Sequence, residues 1–323
     1  MKRQSRGEPV VQPRPKDYQF ELDRALASVV GVKASVPADA FTAETLGTER
    51  AGHGVAIRSG GVVLTIGYLI LEAETVWISL PGGRAVPGHV LGYDQETGFG
   101  LVQALAHLEL PVLPLGQSSN AEVGERVVVA GSGGREHAVE ARIVARQEFA
   151  GYWEYVLDEA IFTAPAHPFW GGTALIGPSG DLLGIGSLLI QQEGEGKQRQ
   201  DLNMVVPIDL LKPILDDLLT LGRPRHPPRP WLGLFATEIG DAVAIAGLFK
   251  RGPAHEADLR PGDVVLGVGG AEVRSLAGFF RQIWALGTAG VEVPLLLSRK
   301  GRTFESRVRS ADRRQFMKGP VVH

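Results

Sequence analysis

An all-β fold in two domains is the architecture that the sequence predicts, and three observations point to it. The chain has 323 residues, which is enough for two domains. Glycine occurs 42 times, as is typical of folds with many tight turns. From about Gly52 to Gln191, short apolar runs of strand length alternate with Gly, Pro, Asp and Asn. Short strands at close, regular spacing favour a barrel or a sandwich over alternating strands and helices.

Net charge, cysteine content and apolar segments restrict the kinds of partner and the cellular compartment that we expect for this chain. The formal net charge is -3 and the pI is about 6.3, which gives no indication of a nucleic-acid partner. There is no Cys, so disulfides, thiolate metal ligands and a cysteine nucleophile are excluded. No apolar run approaches the roughly 20 residues that a membrane span needs. The basic start is not followed by the apolar segment of a signal peptide. We therefore expect a cytoplasmic protein, or a periplasmic one if an upstream segment is missing from the sequence.

Proline and apolar spacing predict the domain boundaries. Residues 1–17 are polar and contain prolines, which indicates a flexible arm. The apolar spacing predicts a short helix within 18–32 and a second helix at 207–221. Four of the nine residues at 222–230 are proline, which indicates a linker. The predicted order is an arm at 1–17, a first domain at 18–221, a linker at 222–230, a second domain at 231–312 and a loose tail at 313–323.

The second domain carries a long and specific motif. Gly252-Pro253-Ala254 is followed by ADLRPGDVVL at 257–266 and by VGGAEV at 268–273. A helix is predicted over Leu276–Ala285, and further strands follow it. These features resemble a PDZ domain of the bacterial type. The resemblance implies a module that binds the C-terminal end of a protein or peptide.

The resemblance also assigns candidate peptide-binding residues. Residues 231–234 correspond to the loop and strand that hold the terminal carboxylate in PDZ domains. Successive backbone N–H groups of a Gly-containing loop can bind an anion, and an open sheet edge can accept a peptide strand. The candidates for the loop and for the pocket of the last side chain are Trp231, Leu232, Gly233, Leu234, Phe279, Phe280 and Ile283. The alternative for each apolar member is an ordinary core position.

The first domain contains several framework segments in a characteristic order. They are GVVLT at 61–65, LPGGR at 80–84, VGERVVVAG at 123–131, GDLLGI at 180–185 and MVVP at 204–207. Ahead of a single PDZ-like domain, they resemble the protease domain of the HtrA family of serine proteases. The resemblance implies an all-β chain in which a trypsin-like double β-barrel is followed by a PDZ domain.

The catalytic positions that this resemblance implies do not carry the family's residues. Tyr68 stands at the position of the His, Gly98 at that of the Asp and Trp170 at that of the nucleophilic Ser. A phenol, a hydrogen and an indole cannot act as base, orienting group and nucleophile. Pro168 stands where an oxyanion-binding N–H is expected, and proline has no N–H. We therefore expect that the chain is not an enzyme.

The resulting hypothesis is a non-proteolytic HtrA-family homologue that binds protein or peptide C-termini through its PDZ domain. It would act as an adaptor, a scaffold or a chaperone-like subunit. Two alternatives are an active HtrA-family serine endopeptidase and a structural subunit of a larger assembly. The resemblance also implies a homotrimer that assembles through N-terminal aromatic residues, for which Tyr18 and Phe20 are candidates. No cofactor or metal site is expected, because no pair of His residues, such as one including His167, stands at a spacing typical of ligands.

Overall fold

The computed structural model of the protein describes residues 11–193 and 199–319, so most of the predicted N-terminal arm lies outside the described residues. The chain divides into two compact units. The first unit takes residues up to Gln147, Glu159–Arg225 and Gly319, and the second takes Glu148–Asp158 and His226–Lys318. The all-β prediction is confirmed, because two closed barrels and one sheet make up most of the structure.

The first barrel lies in the first unit and closes six antiparallel strands in the order β1-β2-β3-β6-β5-β4, with β4 paired to β1. Its strands are β1 (Val29–Ser35), β2 (Glu49–Arg58), β3 (Val62–Ile66), β4 (Thr75–Ser79), β5 (Ala85–Tyr93) and β6 (Phe99–Ala104). Two short helices flank β1, namely α1 (Leu22–Leu26) and α2 (Ala43–Leu46). β3 is buried along its whole length, because β-branched and aliphatic side chains face both the barrel interior and the rest of the unit.

The second barrel of the first unit repeats this topology in the order β10-β11-β12-β9-β8-β7. Its strands are β7 (Arg126–Ala130), β8 (Ala138–Gly151), β9 (Tyr155–Ala164), β10 (Ala174–Ile176), β11 (Leu182–Glu193) and β12 (Arg199–Pro207). An apolar cluster that includes Val129, Ile143, Ile161, Leu175 and Val205 fills its interior. The far ends of β8 and β9 belong to the second unit.

The sheet of the second unit has the strand order β13-β14-β15-β17-β18, and β16 pairs with β15. The strands are β13 (Leu234–Ile239), β14 (Ala242–Leu248), β15 (Val264–Val268), β16 (Ala271–Glu272), β17 (Glu292–Arg299) and β18 (Arg302–Arg309). Two helices, α4 (Pro253–Glu256) and α5 (Leu276–Ala285), accompany the sheet. The side chain of Ser275 caps α5 by accepting a hydrogen bond from the N–H of Gly278 at 3.0 Å.

Two predicted helices are shorter in the structure than the apolar spacing suggested. Within 18–32, α1 ends at Leu26 and β1 begins at Val29, where β-branched residues pair with β2. Within 207–221, only α3 (Leu215–Leu221) is α-helical. Pro213 disfavours helical backbone at Lys212 and lacks an N–H, so the helix begins after it. Within the described residues, no helix is long and apolar enough to cross a bilayer.

The second unit differs in extent from the predicted domain at 231–312. It includes the Glu148–Asp158 segment, which the sequence placed in the first domain, and it continues to Lys318. A 3₁₀ helix at Arg313–Phe316 forms part of the predicted tail, and the side chain of Arg313 is buried. Residues 320–323 of that tail lie outside the described residues. The boundary between Arg225 and His226 falls inside the predicted linker at 222–230.

Candidate functional site

The structure brings Tyr68, Gly98 and Trp170 close together in the first unit. Tyr68 lies in the 3₁₀ turn after β3, where its hydroxyl donates a hydrogen bond to the carbonyl oxygen of Ser187 at 2.8 Å. The hydroxyl also accepts a hydrogen bond from the Trp170 indole. The carbonyl oxygen of Gly98 accepts from the N–H of Gly67, the residue before Tyr68, at 2.6 Å. Burial raises the pKa of Tyr68 well above its ordinary value, so this phenol stays protonated at neutral pH.

The loop between β9 and β10 carries Pro168 and Trp170. Pro168 is exposed and Trp170 is half-buried. The loop turns tightly, because the hydroxyl of Thr173 donates to the carbonyl oxygen of Trp170 at 2.9 Å. Gly172 adopts a φ of +80°, and a Cβ at this position would lie 1.9 Å from the carbonyl oxygen of His53. This close approach requires glycine at residue 172.

Two buried histidines lie beside this loop. The rings of His53 and His167 meet edge to face with their centroids 5.8 Å apart. Backbone N–H groups of Ser132 and Phe169 donate to the Nδ1 atoms of His53 and His167, at 3.0 and 3.1 Å. Burial lowers both pKa values, that of His53 to about 4, so both imidazoles are neutral at pH 7. In the part of the chain that the structure describes, no group of three or more His, Asp or Glu could hold a metal ion.

The second candidate site is the loop Trp231–Leu234 of the second unit, called the carboxylate loop below. The backbone N–H groups of Leu232, Gly233 and Leu234 all donate to the side-chain carboxylate of Glu154, at 2.9, 2.8 and 3.1 Å. Gly233 adopts a φ of +75°, which turns successive N–H groups toward one point. The loop therefore binds a carboxylate, and that carboxylate belongs to the same chain.

Glu154 lies in the turn between β8 and β9, at a φ of +61° and with 5% of its surface exposed. Burial raises the pKa of its carboxyl to about 7, although the three N–H donors and the charge of Arg313 act in the opposite direction. Sequence reasoning missed Glu154. It stands 78 residues before Leu232, and a single acidic residue in a hairpin turn gives no periodic signal.

The other predicted peptide-binding residues lie in the interior of the second unit. Those in the apolar core of the unit are Leu232, Leu234, Phe279, Phe280 and Ile283, and each is fully buried. Trp231 is 2% exposed, and its ring lies 5.6 Å from that of Phe249 and 5.0 Å from that of Phe316. The structure thus brings these five apolar members of the predicted set together in one core. It also adds Val156, from the Glu148–Asp158 segment, to the same core.

Comparisons with known proteins show which domains and proteins this chain is similar to. The model of a trypsin-like peptidase domain matches residues 52–185, and that of a PDZ domain matches residues 230–309. A probable periplasmic serine endoprotease DegP-like of Hahella chejuensis is 27% identical over 235 residues, which cover 69% of this chain and 49% of the relative. The chain combines a trypsin-like peptidase domain with one PDZ domain, and proteins of the HtrA/DegP family are its homologues. The putative serine protease HhoB of Synechocystis is 26% identical over 249 residues, covering 69% of this chain and 58% of that protein.

Solved structures of HtrA-family proteins have the same fold as this chain. The HtrA-type protease AlgW, solved with a decapeptide, has a TM-score of 0.55 at 19% identity, with 93% of this chain and 98% of that chain covered. The serine endoprotease from Yersinia pestis has a TM-score of 0.53 at 22% identity, with 90% and 95% covered. The chain spans about half the length of the curated HtrA-family relatives that it matches, from 49% to 58% for the first three.

One prediction is corrected by these comparisons. From Tyr68, Gly98 and Trp170 we expected that the chain is not an enzyme. The comparisons contradict this, because the curated relatives are named as serine endoproteases or as a serine protease. The three positions alone do not decide whether this chain is an enzyme.

Proposed function

We propose that this chain binds the C-terminal ends of proteins or peptides through the carboxylate loop. The observation that carries the proposal is the convergence of three successive backbone N–H groups on one carboxylate, at 2.8 to 3.1 Å. A chain terminus presents the same two oxygens at the end of an extended strand. β13 follows the loop directly and stands at the end of the sheet, where a peptide strand can be added.

The solved neighbours give independent support for peptide binding. Structures of AlgW are described as complexes with a decapeptide and with a tripeptide. The match of residues 230–309 to the PDZ model supports the same chemistry for this chain. We propose that binding of a partner's C-terminus makes the chain an adaptor, a scaffold or a chaperone-like subunit.

The test compares decapeptides that end in a free carboxylate with the same peptides ending in an amide, by fluorescence polarisation. We expect amidation to weaken binding at least about ten-fold, because a charge-assisted hydrogen bond contributes about 1.5 to 3 kcal/mol. Gly233→Ala should weaken binding similarly, since its Cβ would lie 3.0 Å from the Trp231 ring. Gly301→Ala is the matched control, because Gly301 has a φ of +80° and no heavy atom within 4 Å of such a Cβ. Equal binding of the acid and amide forms would contradict the proposal.

Peptide-bond hydrolysis is a second candidate function, and the names of the curated relatives as serine endoproteases favour it. None of Tyr68, Gly98 and Trp170 carries an aliphatic hydroxyl, so a nucleophile would come from another position of the first unit. Cleavage of unfolded casein measures the activity, and the residue that a serine-directed phosphonate labels identifies the nucleophile. Absence of both cleavage and labelling would remove this candidate.

We also propose that the chain forms a homotrimer through Tyr18 and Phe20. Their rings lie 5.4 Å apart, and the Arg126 guanidinium lies 4.8 Å from the centre of the Tyr18 ring. Both aromatic side chains are half-exposed. Light scattering of the full chain should give three times the chain mass of 34.6 kDa. Tyr18→Ala should lower that mass, and a monomeric parent chain would contradict the proposal.

A further inference from the structure

The carboxylate loop is already occupied by a side chain of the same molecule. The carboxylate of Glu154 accepts hydrogen bonds from all three N–H groups, those of Leu232, Gly233 and Leu234. With only 5% of its surface exposed, Glu154 also excludes water from these donors. A second carboxylate cannot reach the same N–H groups while Glu154 remains in place.

The Glu148–Asp158 segment also occupies the free edge of β13. The N–H of Ala236 donates to the carbonyl oxygen of Tyr152 at 2.9 Å. The Tyr152 ring lies 5.7 Å from the ring of Phe235 on the same strand. A peptide that extended the sheet would use main-chain groups on this edge. The segment thus occupies both the carboxylate position and a strand position.

Apolar and charged contacts hold both strands of the Glu148–Asp158 segment, the end of β8 and the start of β9. Val156 is 7% exposed and belongs to the apolar core of the second unit. On α5, Arg281 pairs with both Glu148 and Asp158. The segment therefore contacts both β13 and α5, the two elements that border the groove in which an added peptide strand would lie.

We propose that the Glu148–Asp158 segment is an internal ligand that closes this groove. A partner's free C-terminal carboxylate binds by displacing Glu154. The inference rests on the proposed function, because it takes the carboxylate loop as the binding site. It goes further because the molecule then has two states, one with the groove closed by the segment and one with the groove open. An external peptide binds only the open state.

An internal ligand reduces the apparent affinity for every external one. The apparent dissociation constant equals the intrinsic constant divided by the fraction of molecules with an open groove, so a segment docked in about 99% of molecules weakens binding about 100-fold.

Beside the segment, a cleft remains that can accept the upstream residues of a peptide before the carboxylates exchange. It is lined by Glu148, Ala150, Thr237, Glu238, Leu276 and Ala277.

The first test needs no external ligand. Hydrogen exchange of the amides of Leu232, Gly233 and Leu234 is measured in the full chain and in three variants. Glu154→Ala and Glu154→Gln should speed this exchange at least about ten-fold, because the carboxylate that protects the amides is removed. Glu305→Ala is the control, since Glu305 is an exposed carboxylate on β18 of the same unit. Glu154→Gln keeps the side-chain volume and serves if the alanine variant does not fold.

The second test measures binding of the free-carboxylate decapeptides to the same proteins. Glu154→Ala should bind them at least about ten-fold more tightly than the parent chain, and Glu305→Ala should bind them like the parent. The amidated copies should remain weaker ligands than the free acids in Glu154→Ala, because they cannot replace the lost carboxylate.

The two tests separate the inference from the proposed function. Amide exchange in both Glu154 variants equal to that in Glu305→Ala would overturn the internal ligand, whatever the peptides do. Equal peptide affinity of the parent and Glu154→Ala would also overturn it, while leaving the proposed function intact. Faster exchange without binding of any peptide to Glu154→Ala would leave the internal ligand standing and contradict the proposed function.

Discussion

Glu154 lies where two influences on its ionisation oppose each other. Removal from water raises the pKa of the carboxyl, and the three N–H donors and Arg313 lower it. The net pKa of about 7 exceeds the ordinary value of 4.5. Docking of Glu154 is therefore more favourable at pH values where the carboxyl is protonated.

The first prediction concerns the pH dependence of the groove. Because docking raises the pKa of Glu154, the free energy that this carboxyl contributes to docking is fully present below pH 4.5. It is lost as the pH rises through about 7. The rise of the Glu154 pKa from 4.5 to about 7 corresponds to about 3 kcal/mol of docking free energy. A peptide's terminal carboxylate is ionised throughout, so its apparent affinity should rise between pH 5 and 8.

Titration calorimetry with one free-carboxylate decapeptide checks this dependence. Glu154→Gln has no carboxyl to titrate, so its affinity should change little over the same range. An equal pH dependence in the parent chain and in Glu154→Gln would show that another group is responsible.

At the scale of elements, helix α5 and the Glu148–Asp158 segment are joined by contacts of unequal strength. Arg281 is 43% exposed, and its partners Glu148 and Asp158 are 46% and 90% exposed. Exposed ion pairs contribute about 0 to 1 kcal/mol each, because water and salt screen them. The buried carboxylate of Glu154 is therefore a stronger polar anchor of the segment than the ion pairs of Arg281.

The second prediction follows from this difference. Arg281→Ala should change the affinity for free-carboxylate peptides by less than about three-fold, whereas Glu154→Ala should change it at least about ten-fold. Raising the salt concentration should remove the small effect of Arg281→Ala and leave most of the effect of Glu154→Ala. A gain with Arg281→Ala as large as that with Glu154→Ala would mean that the ion pairs hold the segment.

The elements also show which features a single sequence can predict. The helix predicted over Leu276–Ala285 has those bounds in the structure, because its apolar spacing and its cap at Ser275 are local signals. The helix expected within 18–32 gave way largely to β1, since pairing with β2 and β4 outweighs local propensity. The occupant of the carboxylate loop could not be predicted, because a contact between a turn and a loop 78 residues apart leaves no local pattern.

At the scale of the whole molecule, the second unit is assembled from two separate stretches of chain. Glu148–Asp158 is joined to the first unit at both ends, and His226 continues from Arg225. Up to Lys318, the covalent chain therefore passes between the units three times. A cut at one of these crossings leaves the other two intact.

The third prediction uses this connectivity. A protease site inserted between Arg225 and His226 lies in exposed chain, and cleavage there yields two fragments. In the parent sequence they should co-elute on size exclusion, because the Glu148–Asp158 segment of one fragment remains bound by the other. Glu154→Ala should promote their separation, and Glu305→Ala should not. Separation of the parent fragments immediately after cleavage would contradict this expectation.

The tethering of Glu154 at both ends of its hairpin has a consequence for the concentration at which partners act. A linked ligand has an effective concentration on the order of millimolar, and this value does not change when the protein is diluted. The expression level of the chain therefore does not alter how often the groove opens. An external terminus must therefore overcome a fixed local competitor. This sets a threshold of partner abundance and affinity below which the chain stays unoccupied.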